Sequence, residues 1–191
     1  MPPAKKAAKK TAKKAAKKAP GHHHGKHHEA RDLRRAYEHM GRVEVLRKAV
    51  DSSPGEALGA LAQLAQSEIA EGFNKSAADL LRASEHLSFA LLVNDGTQDG
   101  DISVELERSI RDQFEELLQR AEDHWEGQEK SASILTVLYK ASRKSAATAL
   151  KEGAYRRALE FARAAEALAH VRQDVHRKLS AGTKKLQLEG A

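Results

Sequence analysis

Lysine pairs near the N-terminus are the residues of this sequence whose type and spacing best suit a chemical task. The pairs are separated by Ala-Ala or Thr-Ala and comprise Lys5, Lys6, Lys9, Lys10, Lys13, Lys14, Lys17 and Lys18, with a single Lys26 beyond them. Each ammonium group that meets a phosphate releases condensed counterions, so about eight contacts on duplex DNA give a slope of log K against log salt of roughly −7. The pattern therefore predicts binding to a phosphate polymer that weakens steeply with salt.

The sequence of this N-terminal arm, AKKAAKKTAKKAAKKAP, resembles the tails of linker histones and of bacterial histone-like proteins. The resemblance implies association with DNA in a nucleoid or nucleus, without recognition of sequence. The residues themselves agree with this expectation. Residues 1–26 hold nine Lys but no Arg for bidentate contacts to guanine and no aromatic ring for stacking on exposed bases.

Two other interpretations of the arm stay open. The lysines could only keep the chain soluble, or they could bind another polyanion such as RNA, polyphosphate or an anionic membrane surface. An amphipathic membrane anchor fits poorly, because the uncharged face of the arm offers only small Ala side chains. We expect no membrane partner.

Histidines form a second group, comprising His22, His23, His24, His27 and His28. Imidazole nitrogens bind nickel, zinc or copper, and a flexible His run binds such ions adventitiously whether or not the cell uses them. The chain has no Cys to supply thiolate ligands, so neither a structural zinc site nor a cofactor is expected. The favoured interpretation is a pH-sensitive extension of the arm, since imidazole gains charge just below neutral pH.

Charge is unevenly distributed along the chain. The whole sequence has 33 Lys and Arg against 27 Asp and Glu, a net charge of +6. Setting aside the nine Lys of residues 1–26 leaves 24 basic and 27 acidic residues, so residues 27–191 carry a net charge of −3. Such asymmetry is typical of a polyanion-seeking tail attached to a domain with another task. No apolar run suits a membrane span or a secretory signal, which predicts an intracellular protein of the nucleoid, cytoplasm or nucleus.

The elements that must carry this arm are helices, because strand signals are missing beyond Glu29. We expect an all-α fold of antiparallel helical hairpins, or a bundle of about six helices. The predicted segments are a disordered arm over residues 1–28, which has too little apolar area to offset conformational entropy, a helical domain over 29–180 and a flexible C-terminus over 181–191. The predicted helices span about 29–50, 53–70, 73–93, 102–125, 131–151 and 155–179.

The fourth predicted helix has the most regular apolar stripe. It comprises Ile102, Leu106, Ile110, Phe114, Leu117, Leu118, Ala121 and Trp125, and this spacing predicts that all of them face the core. The loop before it, residues 95–102, resembles the first half of an EF-hand. Leu106 stands at the twelfth position, where the closing Glu belongs, so the loop is interpreted as a polar connection with Asp99 or Asp101 capping the helix.

An internal repeat links residues 69–87 with residues 150–168 at an offset of 81, with seven identical pairs. Each copy holds a helix end, a Gly turn and an Ala-rich helix. The second copy resembles the tetratricopeptide hairpin, and the first resembles it more weakly, at Gly153, Tyr155, Ala158 and Ala165 and at Gly72, Phe73 and Ala77. The hairpins also resemble HEPN-type bundles. Both resemblances imply packed helix pairs and protein or RNA partners, and a plain helical bundle is an equal alternative.

The HEPN resemblance directs attention to two Arg and His pairs, Arg82 with His86 and Arg172 with His176. HEPN nucleases use an Arg and a His close together on a helix, but Ala83 stands where that motif favours a polar residue. The patterns together favour a non-enzymatic protein that binds DNA through its arm and a partner, or a second copy, through its helical domain. The alternatives are a tetratricopeptide-like scaffold with an incidental tail and, less favoured, a HEPN-like ribonuclease or a His-rich metal-binding protein.

Overall fold

The computed structural model describes residues 23–50, 52–93, 102–125 and 133–171. Within these ranges the chain forms helices and no strand, which confirms the all-α class. The helices are α1 His23–Arg47, α2 Ser52–Ala70, α3 Asn74–Leu92, α4 Val104–Trp125, α5 Ile134–Lys151 and α6 Tyr155–Ala169. None of the helices described here is both long and apolar enough to cross a membrane.

The helix starts differ from the sequence prediction where single residues decide them. Helix α1 begins at His23, six residues before the predicted start, because Gly25 in a helix costs only about 1 kcal/mol and does not break it. Helix α4 begins at Val104, where the Ser103 hydroxyl oxygen accepts a hydrogen bond from the Leu106 N–H at 3.2 Å. The predicted cap at Asp99 or Asp101 lies outside the described residues. In the same way, Ser133 caps α5 by accepting from the Thr136 N–H at 3.3 Å.

Helices α3 and α6 lie at the centre of the molecule. Helix α3 packs against α1, α2 and α6, while α6 packs against α3, α4 and α5. The two central helices run antiparallel, because Arg82 near the middle of α3 faces Glu166 of α6 whereas Arg157 at the start of α6 donates to the carbonyl of Val93 at the end of α3. The main contact between the two halves is therefore the packing of α3 on α6.

The described body is a tandem duplication of one three-helix unit. Helices α4, α5 and α6 begin 81, 82 and 81 residues after α1, α2 and α3. The sequence match covers only residues 69–87 and 150–168, but the structure extends the same offset over all six helices. Since α3 and α6 pack against each other antiparallel, the two units are related by an approximate two-fold axis between the central helices.

The turn before each central helix repeats in detail. Gly72 and Gly153 adopt positive φ angles of 84° and 75°, a conformation that residues with a Cβ rarely adopt. The turn brings the Phe73 N–H within 2.8 Å of the Glu68 carbonyl, and the Ala154 N–H within 2.9 Å of the Ala149 carbonyl. These equal turns explain why Gly recurs at the offset of 81 in the sequence.

Small side chains fill the contact between the central helices. Ala83 of α3 and Ala164 of α6 are fully buried, and small residues at such a contact let two helix backbones approach closely. Trp125 is 3% exposed and stacks on Tyr139, with ring centroids 3.9 Å apart, so its predicted place in the core is confirmed.

The first turns of α4 correct the predicted core stripe. Phe114, Leu117, Ala121 and Trp125 are buried, but Leu106 is 52% exposed and Ile110 is only half-buried. Helix α4 packs on α6, and Tyr155, the first residue of α6, adds to the effect of Arg111 in lowering the pKa of Glu107. Residues of α4 before Glu107 therefore extend past the start of α6, and the apolar positions there lack a surface to pack against.

Candidate nucleic-acid interface

The structure describes only the end of the predicted basic segment. Lys5 through Lys18 and His22 lie outside the described residues. His23, His24 and Lys26 lie in the first turn of α1, and their side chains are not described. His27 and His28 follow on the same helix, and both are exposed to solvent. In the described part of the chain, the basic segment therefore ends in a helix that begins at His23.

Metal binding finds no geometric support in the part of the chain that the structure describes. Among residues 23–50, 52–93, 102–125 and 133–171, no group of three or more His, Asp or Glu side chains is placed to hold an ion. His27 and His28 point into solvent rather than toward carboxylates that would complete a site. The adventitious nickel or zinc site on the His run stays a prediction.

Ion pairs link each outer helix to its central helix at equivalent positions. In the first unit, the His39 Nδ1 atom lies 2.6 Å from a carboxylate oxygen of Glu85, and the Arg42 guanidinium lies 3.1 Å from it. In the second unit, the Arg120 guanidinium lies 3.3 Å from Glu166. Burial works to raise the pKa of Glu85, but the hydrogen bond and charge of His39 and the charge of Arg42 outweigh it and hold that pKa below its usual value.

A second set of ion pairs lies between the central helices. The His86 Nδ1 atom lies 2.7 Å from Glu160, which also accepts a hydrogen bond from Arg163 at 2.6 Å. Burial opposes ionisation of Glu160, yet the hydrogen bond from His86 and the neighbouring positive charges keep its pKa lowered. Arg82 lies 3.6 Å from Asp79 and 3.9 Å from Glu166. Burial dominates at Asp79 and raises its pKa.

His170 lies at the end of α6 beside His124 at the end of α4, with ring centroids 4.0 Å apart. Burial, followed by the positive charges of His124 and Arg82, lowers the pKa of His170 to about 4. The ring is therefore neutral at physiological pH. An uncharged imidazole packed in this position is part of the helix contact rather than a contact for phosphate.

Arg82 and His86, the described pair that the HEPN resemblance indicates, both form ion pairs within the fold. His86 binds Glu160 across the contact between α3 and α6, and Arg82 faces Asp79 and Glu166. Arg172 and His176 lie outside the described residues. These side chains hold the two units together, which is a role that the sequence reasoning missed. The repeat offset of 81 contained a signal for the ion pairs within each unit, since His39 and Arg120 precede Glu85 and Glu166 by the same number of residues.

The outer face of α1 carries basic side chains that reach solvent. Arg31 and Arg34 side chains are 53% and 81% exposed, and Arg35 is also exposed. Residues three and four apart lie on one side of a helix, so the three guanidinium groups share a face. Arg31 lies 3.5 Å from Asp32 and Arg34 lies 2.8 Å from Glu38. Arg35 has no ion pair within the described residues.

Comparisons of the whole chain with protein-family models, with curated proteins and with solved structures found no match.

Proposed function

We propose that this protein binds duplex DNA without reading its sequence, through the lysines of the N-terminal arm, while the six-helix body serves as a folded anchor that can recruit a partner. The observation that carries the proposal is the segregation of charge. Residues 1–26 hold nine Lys and no acid, whereas the Arg and His side chains at the helix contacts face carboxylates. The arm is thus the segment where cations are concentrated without acids.

The mechanism of the proposed DNA binding is electrostatic. Lysine ammonium groups meet successive phosphates and release the counterions that these phosphates had condensed, which makes binding tight at low salt. An arm without Arg or aromatic side chains makes no base-specific contacts. A protein with this activity would reside with the chromosome, in a nucleoid or a nucleus.

The test keeps the full chain and changes only the arm. Replacing Lys5, Lys6, Lys9, Lys10, Lys13, Lys14, Lys17 and Lys18 with Gln preserves the length of the chain and leaves the body untouched. Fluorescence anisotropy with two duplexes of unrelated sequence, from 50 to 200 mM salt, should give equal affinities and a slope at least as steep as about −7 for the wild-type protein. The Gln variant should lose most of both the affinity and the slope. Unchanged binding by this variant would overturn the proposal.

A second candidate role for the body, as a protein-interaction module, is favoured by exposed apolar side chains at the start of α4. Val104 and Leu106 are 75% and 52% exposed, and contact surfaces expose large apolar side chains of this kind. Sedimentation velocity in high salt, where the arm is inactive, should show self-association that Leu106→Glu abolishes. Wild-type protein that stays monomeric at micromolar concentration would contradict self-association through this surface.

A further inference from the structure

The repeat allows the outer faces of α1 and α4 to be compared position by position, and three exposed positions on them carry opposite charge. Arg31, Arg34 and Arg35 of α1 correspond at the offset of 81 to Asp112, Glu115 and Glu116 of α4. All six residues are exposed. Since the two helices occupy equivalent places in equivalent units, packing against the body cannot account for the difference in sign.

The basic side belongs to the helix that continues from the arm. Helix α1 begins at His23, and at a rise of 1.5 Å per residue Arg31 and Arg35 lie only about 12 and 18 Å from its start. Duplex DNA carries one phosphate charge for about every 1.7 Å of its axis. A duplex held by the lysines would therefore pass within reach of these guanidinium groups.

The acids near this face compete only weakly with phosphate. Asp32 and Glu38 are the carboxylates that pair with Arg31 and Arg34. Both arginine side chains remain more than half exposed, and ion pairs between such exposed groups contribute little to stability. A phosphate oxygen, which accepts bidentate hydrogen bonds from guanidinium, can replace these carboxylates at small cost.

From this charge reversal we infer that Arg31, Arg34 and Arg35 form a second phosphate-binding surface for duplex DNA, located on the folded body. The inference rests on the proposed function of the arm. The arm supplies most of the affinity, whereas three side chains on one helix of the body bind the backbone in one orientation. The acidic face of α4 is repelled by the same phosphates, so the body turns its first unit toward the duplex and its second unit away.

The test uses three variants of the full chain and the same duplex titration. Substitution of Arg31, Arg34 and Arg35 by Gln removes the three cations, substitution by Lys retains them, and the matched control replaces Asp112 by Asn and Glu115 and Glu116 by Gln on α4. With about 0.9 counterion released per phosphate, the Arg→Gln variant should have a slope less negative by about 3. Between 50 and 200 mM salt the wild-type protein should lose about 40-fold more affinity than this variant.

The outcomes of this test distinguish a failure of the second phosphate-binding surface from a failure of the proposed DNA binding. The Lys variant should keep nearly the wild-type slope, and the α4 variant should bind as tightly as wild type or more tightly. If the Arg→Gln variant keeps the wild-type slope and affinity while the Gln-substituted arm fails to bind, the second surface is refuted and the arm proposal stands. If the α4 variant weakens binding as much as the Arg→Gln variant, the effect is not contact with phosphate. Wild-type protein that does not bind duplexes refutes the proposed function itself.

Discussion

His170 illustrates how the fold sets the protonation of a single side chain. In the approximate two-fold arrangement its counterpart is Phe89, so a titratable ring occupies a place that holds an apolar ring in the first unit. Its neighbours His124, Arg82 and Lys75 add positive charge, and Glu166 only partly offsets them. Burial and these charges together favour the neutral ring.

We therefore expect His170 to make the protein less stable in acid. Its pKa is about 4 in the folded protein and 6.5 without the fold, so the unfolded chain takes up a proton first as pH falls. Stability is lost between these two values. His170→Phe, which copies Phe89, should show a smaller fall of Tm between pH 6.5 and pH 4 than the wild-type protein, measured by circular dichroism. His28→Phe on exposed α1 is the matched control and should follow the wild-type pH profile; equal profiles for all three proteins would refute the assignment.

Among the elements, the paired turns before α3 and α6 depend most directly on residue type. Gly72 and Gly153 hold positive φ angles, where a Cβ atom is strained whatever the surrounding space. Gly41 differs from both, because it lies inside α1 and a Cβ added to it would meet no atom within 4 Å.

Replacing these glycines with Ala should have opposite effects on the free energy of unfolding. Gly72→Ala and Gly153→Ala should each lower it by about 1 kcal/mol, since the strain of a left-handed Ala exceeds the gain from a stiffer unfolded chain. Gly41→Ala should raise it by about 0.5 to 1 kcal/mol, because Ala favours the helix. Urea denaturation measures all three. A destabilised Gly41→Ala protein, or a neutral Gly72→Ala protein, would contradict the description of these backbones.

Sequence patterns predicted the number of helices well and their starts less well. Gly, Pro and Asp clusters separate the helices, so their existence follows from local signals. The cap of α5 at Ser133 depends on its hydrogen bond with the Thr136 N–H, which composition does not reveal. The exposure of Leu106 was not predictable from its periodic spacing, because burial there depends on where α6 begins, at Tyr155.

On the scale of the whole molecule, the duplication was visible in sequence only where both copies preserve the turn and the central helix. The outer helices have diverged in residue type while keeping their places, so no local comparison would have aligned α1 with α4. Ion pairs such as His86 with Glu160 depend on the antiparallel packing of α3 on α6, which sequence patterns do not specify. The charge asymmetry between arm and body, in contrast, is a property of composition, so it can be determined from the sequence alone.

The two units share their central contact, so we expect them to unfold together. Ala83 and Ala164 are both fully buried, and neither unit buries its central helix without the other. Calorimetry should give a single transition whose calorimetric and van't Hoff enthalpies agree. Ala164→Leu should lower the Tm of that one transition, because an overpacked contact costs about 1 to 3 kcal/mol, whereas Ala141→Leu on the exposed side of α5 should not. Two separate transitions would show that the units are independent.

Opposite charge on the equivalent faces of α1 and α4 has a consequence for many copies bound along one duplex. Each copy would press its basic side onto the DNA and expose Asp112, Glu115 and Glu116 outward. Under the proposed function, these acidic side chains would cover the outside of the nucleoprotein filament, so neighbouring filaments would repel one another and stay dispersed.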